Sequence, residues 1–423
     1  MPDPVRILCT GDLHMGRYPS KIPDDPACSV RHVWEDLVDL AVRREADAVI
    51  LTGDVVDREN ARFEALGPLQ KGINRLAEAG IDTITVAGNH DHEALPRLYD
   101  LVDAERFYLL GKGGEWESHV VRRDGTDLLR VLGWSFPRRH VSASPVPEMN
   151  VDRKTIPTVA ALHAELGMAD SPYAPVTIRE LANTPVDAWL LGHIHAPGRR
   201  HDEPVVLYPG SLQPLDPGEA GARGPWLVEV DASGEVSTEH IPLASLYYAE
   251  LGVAVEEGSE ENLEVQLNRA IREDLEDQRS ENGHLRRAVY RIQVNGRSER
   301  PQELTSEAEK LAEHFTVPSG DIDAHIDRIT ADIRPAVDLE QLAEQRNPAG
   351  VLARHLLRLE QGETDGATGR LLDRLKENVQ TVRQSTGYAA LDDDPVPDSE
   401  TLRQEALRQG RLLLDELLSQ TTE

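Results

Sequence analysis

Five apolar runs in the first half of the chain stop where a metal-binding or acid–base side chain begins, and no other feature limits the fold so tightly. The run from Val5 to Gly11 delivers Asp12 and His14, and the run from Ala48 to Gly53 delivers Asp54, with Asp57 three residues on. Thr83 to Gly88 leads to Asn89, His90, Asp91 and His92; Val159 to Leu162 precedes His163; Val186 to Gly192 leads to His193 and His195. Short stretches of β-branched and aliphatic residues read as buried strands, and glycine ends four of the five abruptly. A lone Gly-Asp after a strand is usually a turn with a capping carboxylate. Five such endings in one chain point elsewhere. In an open α/β sheet the carboxyl ends of strands face the ligand crevice, where a buried acid needs a cation or a donor beside it. His163 is the least marked of the set, because Ala161, Leu162, Ala164 and Leu166 around it would also suit a helix.

Carboxylate oxygen, amide oxygen and imidazole nitrogen together suit divalent ions such as manganese, iron, cobalt or zinc better than calcium, which wants oxygens only. No cysteine joins the set, which argues against a structural zinc site. Two such ions bridged by one carboxylate can share a water and clamp the entering and leaving oxygens of a phosphoryl group. That chemistry is phosphoester hydrolysis.

Asp12-Leu13-His14, Gly53-Asp54-Val55-Val56-Asp57, Gly88-Asn89-His90-Asp91, the isolated His163 and Gly192-His193-Ile194-His195 together resemble the calcineurin-like metallophosphoesterase superfamily. Within it, the start Asp12 to Arg17 and the later Leu207-Tyr208-Pro209-Gly210-Ser211-Leu212-Gln213-Pro214 resemble SbcD-type DNA repair exonucleases of the YhaO-like branch. The resemblance implies an α/β fold of two facing sheets in four layers, with a small α+β capping domain and a helical carboxyl-terminal region. It implies one metal held by Asp12, His14, Asp54 and His195, and a second held by Asp54, Asn89, His163 and His193. Manganese is the expected ion. His90 would be the unligated imidazole at the phosphate, oriented by Asp57, while Asp91 and His92 would support the ligands from behind. It further implies DNA as substrate, an SMC-like coiled-coil ATPase of the SbcC or YhaN kind as partner, and a homodimer through helices of the catalytic domain.

A DNA-binding surface is expected to be basic, yet 75 Asp and Glu face 45 Lys and Arg in the 423 residues, a formal charge of −30. Either the source keeps a salty, halophilic cytoplasm in which acidic surfaces are useful, or the substrate is a small nucleotide or other phosphoester. Scarce lysine and abundant arginine favour the first. Arg122-Arg123, Arg138-Arg139-His140 and Arg199-Arg200-His201 are local basic clusters that could serve a phosphate backbone or simply be solvated surface. The two cysteines, Cys9 and Cys28, build no disulfide framework, and no long apolar run is present, so a cytoplasmic protein without a membrane span is expected.

Changes in pattern divide the chain into residues 1–245, 246–335 and a helical 336–423, and the resemblance implies that the first is the phosphoesterase domain and the second the cap. In the second, residues 247–255 read as a strand and 259–277 as a helix with Leu263, Leu267, Ile271 and Leu275 on one face. Tyr290, Ile292 and Val294 alternate as a strand ended by the turn pair Asn295-Gly296, and Pro301 starts a helix to His314. In the third, stripes at Leu352, Leu356 and Leu359, at Leu371, Leu375, Val379 and Val382, and at Leu402, Leu407, Leu414, Leu417 and Leu418 mark helices around an acidic linker at 388–399. These helices either fold back on the cap or, as the resemblance implies, dock the ATPase partner. The rival readings are a phosphoesterase for small substrates and a non-catalytic scaffold subunit.

Overall fold

The structure, a computed structural model, describes residues 3–57, 65–102, 104–150, 156–255, 261–319, 322–362, 366–383 and 399–419. Along the chain come β1 (Val5–Thr10), α1 (Val30–Arg43), β2 (Ala48–Leu51), α2 (Leu66–Glu78), β3 (Asp82–Thr85), α3 (Ala94–Tyr99), β4 (Phe107–Leu109), β5 (Glu117–Arg123) and β6 (Thr126–Trp134). Then follow β7 (Thr158–His163), α4 (Ile178–Ala182), β8 (Ala188–Gly192), β9 (Gly198–Asp202), β10 (Val205–Tyr208), β11 (Trp226–Val230) and β12 (Val236–His240). Two six-stranded mixed sheets result, in the orders β12-β11-β1-β2-β3-β4 and β5-β6-β7-β8-β10-β9. Their central strands are parallel, so successive residues are buried on opposite faces. In β1, Ile7 and Cys9 enter the core between the sheets with Ile50, Val131, Val159 and Leu190. Leu8 turns outward to meet Trp34 and Leu37 of α1. Trp189, Leu191 and Tyr208 face outward from the second sheet onto Val176 and Leu181. Helix, sheet, sheet and helix thus make four layers of an α/β fold.

Trp34 is the anchor of the outer helical layer. Its indole is fully buried, donates to the Pro68 carbonyl at 3.1 Å, and lies so close over Gly72 that no Cβ could stand there. Trp34→Ala is expected to lower unfolding free energy by about 3–5 kcal/mol, read as a lower urea midpoint with little change in slope.

A third sheet follows, built from β13 (Leu246–Val255), β14 (Arg287–Ser298), β15 (Thr316–Ser319) and β16 (Ile322–Pro335) in the order β13-β14-β16-β15, with α5 (Leu263–Glu281) and α6 (Pro301–His314). Asn262 caps α5, and Leu263, Leu267, Ile271 and Leu275 are buried against Tyr290, Ile292 and Val294. The turn expected at Asn295-Gly296 does not form. β14 runs on to Ser298, because its long neighbour β16 supplies a partner over that length, and Gly296 takes φ 146° within the strand. Beyond β11, β12 pairs along the outer edge of the first sheet.

The carboxyl-terminal part is helical where described: α7 (Leu339–Ala343), α8 (Pro348–Glu360), α9 (Gly366–Arg383) and α10 (Ser399–Ser419). The chain forms two compact units, the first holding the two large sheets and most of the third, the second holding these helices. Leu356 and Leu359 of α8 and Leu407 and Leu414 of α10 form the core of the second. In α9, Leu372 turns inward and Leu371 stays 52% exposed, because the inward face runs Thr368, Leu372, Leu375 at helical spacing. The side chains of Val379 and Val382 and residues 388–398 of the expected linker lie outside the described residues. Among the described residues no helix is long and apolar enough to cross a membrane.

Candidate metal centre

Five parallel strands, β1, β2, β3, β7 and β8, end on one side of the two sheets, and each end carries ligand-type side chains into the same crevice. Pairing between β1 and β2 continues into the loops: Asp12 N–H donates to Gly53 O at 3.1 Å and His14 N–H to Asp54 O at 3.0 Å. Asp12, His14 and Asp54 adopt φ of 48°, 46° and 49°, and His193 adopts 97°. Non-glycine residues pay roughly 1–3 kcal/mol each for that region, and such strain gathers at functional sites. Space is equally tight. A Cβ on Gly88 would collide with the Asp54 carboxylate, and one on Gly53 would lie 2.7 Å from His163 Nδ1.

Asp12, His14 and His195 place one ligand atom each within 4.8 Å of one another, as do Asp12, Asp54 and His163. Asp12 is thus common to both clusters, and Asp54 also acts through its charge on His14. His163 Nδ1 donates to Thr52 O at 3.1 Å, which turns Nε2 toward Asn89 Oδ1 at 3.0 Å and Asp54 Oδ2 at 3.4 Å. The His193 ring lies 5.4 Å from that of His163, and its backbone N–H donates to Asp12 at 3.2 Å. All seven residues expected as ligands are therefore brought together. His90 stands exposed at the rim, edge-on to His14 at 5.2 Å between ring centres, with its backbone N–H donating to Asp54 at 2.9 Å. Asp57 is half-buried just beyond, its N–H on Met15 O at 3.3 Å. Asp91 is fully buried and accepts from Gly88 N–H and Val55 N–H, both at 2.7 Å, tying the Asn89 loop to the Asp54 loop. His92 Nδ1 lies 3.2 Å from Asn89 O.

The donor set fits divalent cations. Both ring nitrogens of His14 are buried with no hydrogen-bond partner, the state of a ligand rather than of a packed core histidine. Burial holds His14 down to about 4 and, with the charge of His163, His193 down to about 3, so both keep the neutral ring that a metal needs. Burial also opposes charge on Asp54, yet the His163 ring, by charge and hydrogen bond, holds that carboxyl well below the usual range. The same pairing raises His163 against its own burial. In the chain alone a proton on His163 offsets the buried carboxylate; a bound cation would displace it.

Two glutamates complete the arrangement. Glu165 Oε2 lies 2.8 Å from His193 Nε2, and Glu219 Oε1 lies 2.9 Å from His195 Nδ1, so each carboxylate fixes a tautomer and leaves the other ring nitrogen for a metal. Neither was expected from sequence. Glu165 follows His163 by two residues, a spacing that could have flagged it, whereas Glu219 lies in a loop whose place only the fold reveals. Tyr173 backs His193 at 4.8 Å between ring centres. Among the basic clusters, Arg122 pairs with Asp127, Arg123 with Asp47 and Arg199 with Asp202.

Residues 5–197 match the calcineurin-like phosphoesterase family model. The chain carries a calcineurin-like phosphoesterase domain. The domain is similar to the metallophosphoesterase YhaO of Bacillus subtilis, 29% identical over 226 residues, covering 52% of this chain and 53% of that protein. The DNA double-strand break repair protein Mre11 of Aeropyrum pernix is 25% identical over 289 residues, covering 65% and 69%. Mre11 of Haloferax volcanii is 27% identical over 282 residues, covering 64% and 59%. The chain thus spans between about half and two thirds of the length of these relatives. The phosphoesterase domain, together with the candidate ligands Asp12, His14, Asp54 and His163, indicates divalent metals.

Proposed function

We propose that this protein is a two-metal phosphodiesterase that cleaves DNA, acting at double-strand breaks with an SMC-like coiled-coil ATPase. The observation that carries the reading is the convergence at five strand ends of Asp12, His14, Asp54, His163 and His195, with Asn89 and His193 against them and His90 exposed at the rim. One ion takes Asp12, His14, Asp54 and His195, and the other takes Asp54, Asn89, His163 and His193. When bound, such ions, manganese foremost, supply an activated water and neutralise charge developing on a phosphoryl group. The chain's own residues do the rest. Thr52, Glu165 and Glu219 hold the ligand histidines in their tautomers. His90, exposed at the rim, is placed to deliver a proton to the departing oxygen, and Asp57 orients the ring.

The names of the Mre11 relatives support DNA as substrate. Residues 246–335 then serve as a DNA-placing cap beside the nuclease domain of 1–245, and the helices of 336–423 serve the ATPase. The charge of −30 suits a halophilic cytoplasm, where high salt weakens the counterion-release term and fewer phosphate contacts are needed.

The test is manganese-dependent hydrolysis of a labelled linear duplex beside a small phosphodiester, in low and in multimolar potassium chloride. DNA degradation with an optimum at high salt is expected. Turnover of the small ester alone would replace DNA by a metabolite, and turnover of neither with metals bound would point to a scaffold subunit.

A further inference from the structure

The sheet that begins at β13 reaches the loop beside the metal centre through Tyr248, while His325 at 3.0 Å from Lys21 O and Asp327 at 3.3 Å from Lys21 Nζ hold the next residue of that loop. Tyr248 of β13, 1% exposed, donates its hydroxyl to Ser20 O, and its carbonyl accepts Gly221 N–H at 3.0 Å. Both contacts lead to His195. Residue 20 belongs to the loop after the Asp12 and His14 segment, and it is locked to Asp216 through Ser20 Oγ at 2.9 Å, with Arg17 on the same carboxylate at 2.6 Å. Asp216 O in turn accepts Glu219 N–H at 2.8 Å, and Glu219 holds His195 Nδ1. From the other side, Gly221 lies two residues beyond Glu219, and the buried Arg223 guanidinium donates to Glu219 O, Ala220 O and His195 O. The loop between β10 and β11 is therefore hydrogen-bonded at one end to β13 and at the other to His195.

We propose that Tyr248 is a positioning residue for His195: through Ser20, Gly221 and Glu219 it makes the metal affinity at the His195 end depend on where β13 sits. The inference rests on reading the crevice as a metal centre. It assigns to the third sheet a role in setting ligand geometry, apart from any contact with substrate. A displacement of β13 would pull on Gly221 and Ser20 together, and through them on the Glu219 carboxylate that holds His195 Nδ1. Ligand geometry fixed by a hydrogen-bonded carboxylate is worth roughly 10–100-fold in metal affinity, so a relay one step further out should carry a part of that.

The experiment is calorimetric titration with Mn2+ of the full chain as wild type, Tyr248→Phe, Glu219→Gln and the double variant, with Co2+ visible spectra as a second readout. Wild type is expected to take two ions. Glu219→Gln should weaken one of them by about 10–100-fold, and Tyr248→Phe should weaken that same ion by about three- to tenfold while sparing the other. Because both act on one path, the double variant should bind no worse than Glu219→Gln alone, and its Co2+ spectrum should match. Two unchanged affinities in Tyr248→Phe, or a double variant whose loss is the product of the two single losses, would overturn the proposal. A wild type that takes up no divalent ion would overturn the metal-centre reading as well, and so looks different. Should Tyr248→Phe not fold, Asp216→Ala, at a side chain that is 46% exposed, removes the acceptor of Ser20 Oγ and cuts the same path outside the core. Loss confined to the Glu219-sensitive ion supports the proposal, and unchanged binding ends it.

Discussion

Asp54→Ala should lose bound metal and hydrolysis together, with affinity falling by more than the roughly 10–100-fold that loss of a ligand's hydrogen-bond partner costs. The carboxylate is 2% exposed, faces His163 Nε2 at 3.4 Å and acts by charge on His14, so its removal touches both clusters at once. The fold should survive, because His163 can shed the proton that Asp54 holds on it, and a neutral imidazole is cheap to bury. Alanine carries one side effect. With φ at 49° the position is left-handed, which costs alanine roughly 1–2 kcal/mol more than asparagine feels. Asp54→Asn is therefore the sharper variant: it keeps the shape and the backbone and removes only the charge. Elemental analysis after dialysis, beside circular dichroism, reads both. Unchanged occupancy in both variants would refute Asp54 as the bridge.

His90→Ala should do the opposite, keeping both metals while the rate falls by about 10²–10⁴-fold, the usual worth of a positioned acid. The side chain is exposed, and the contact that His90 makes with Asp54 runs through its backbone N–H, which alanine retains. Metal content and melting temperature should thus match wild type. A variant that loses metal, or that hydrolyses a phosphodiester at the wild-type rate, would remove His90 from the role of acid.

Some of this architecture is written locally. An apolar run ended by glycine and followed by a ligand-type residue is a strand and its carboxyl-end loop, and five of them are enough to bring the seven side chains into one crevice. The face of α5 is equally local, since Leu263, Leu267, Ile271 and Leu275 can only point one way together. Legibility fails where a choice belongs to neighbours. Leu371 and Leu372 both fit a helix stripe, and the core formed by α8 and α10 half-buries the second while the first stays exposed. Asn295-Gly296 has the composition of a turn, but a long adjacent strand pulls it into the sheet.

By itself, then, the order of residues determined the strand ends, the chemical class of the side chains they deliver and the helix faces, because periodicity of 2 or 3.6 residues and the conformational demands of glycine act over a few positions. Only the tertiary structure decided that Asp12 is common to both clusters, that Glu165 and Glu219 set the histidine tautomers, and that Tyr248 reaches the loop holding His195. Those contacts join residues up to 228 positions apart. Their energies depend on distances of a few ångströms that no local pattern specifies, and they exist only once the sheets have packed.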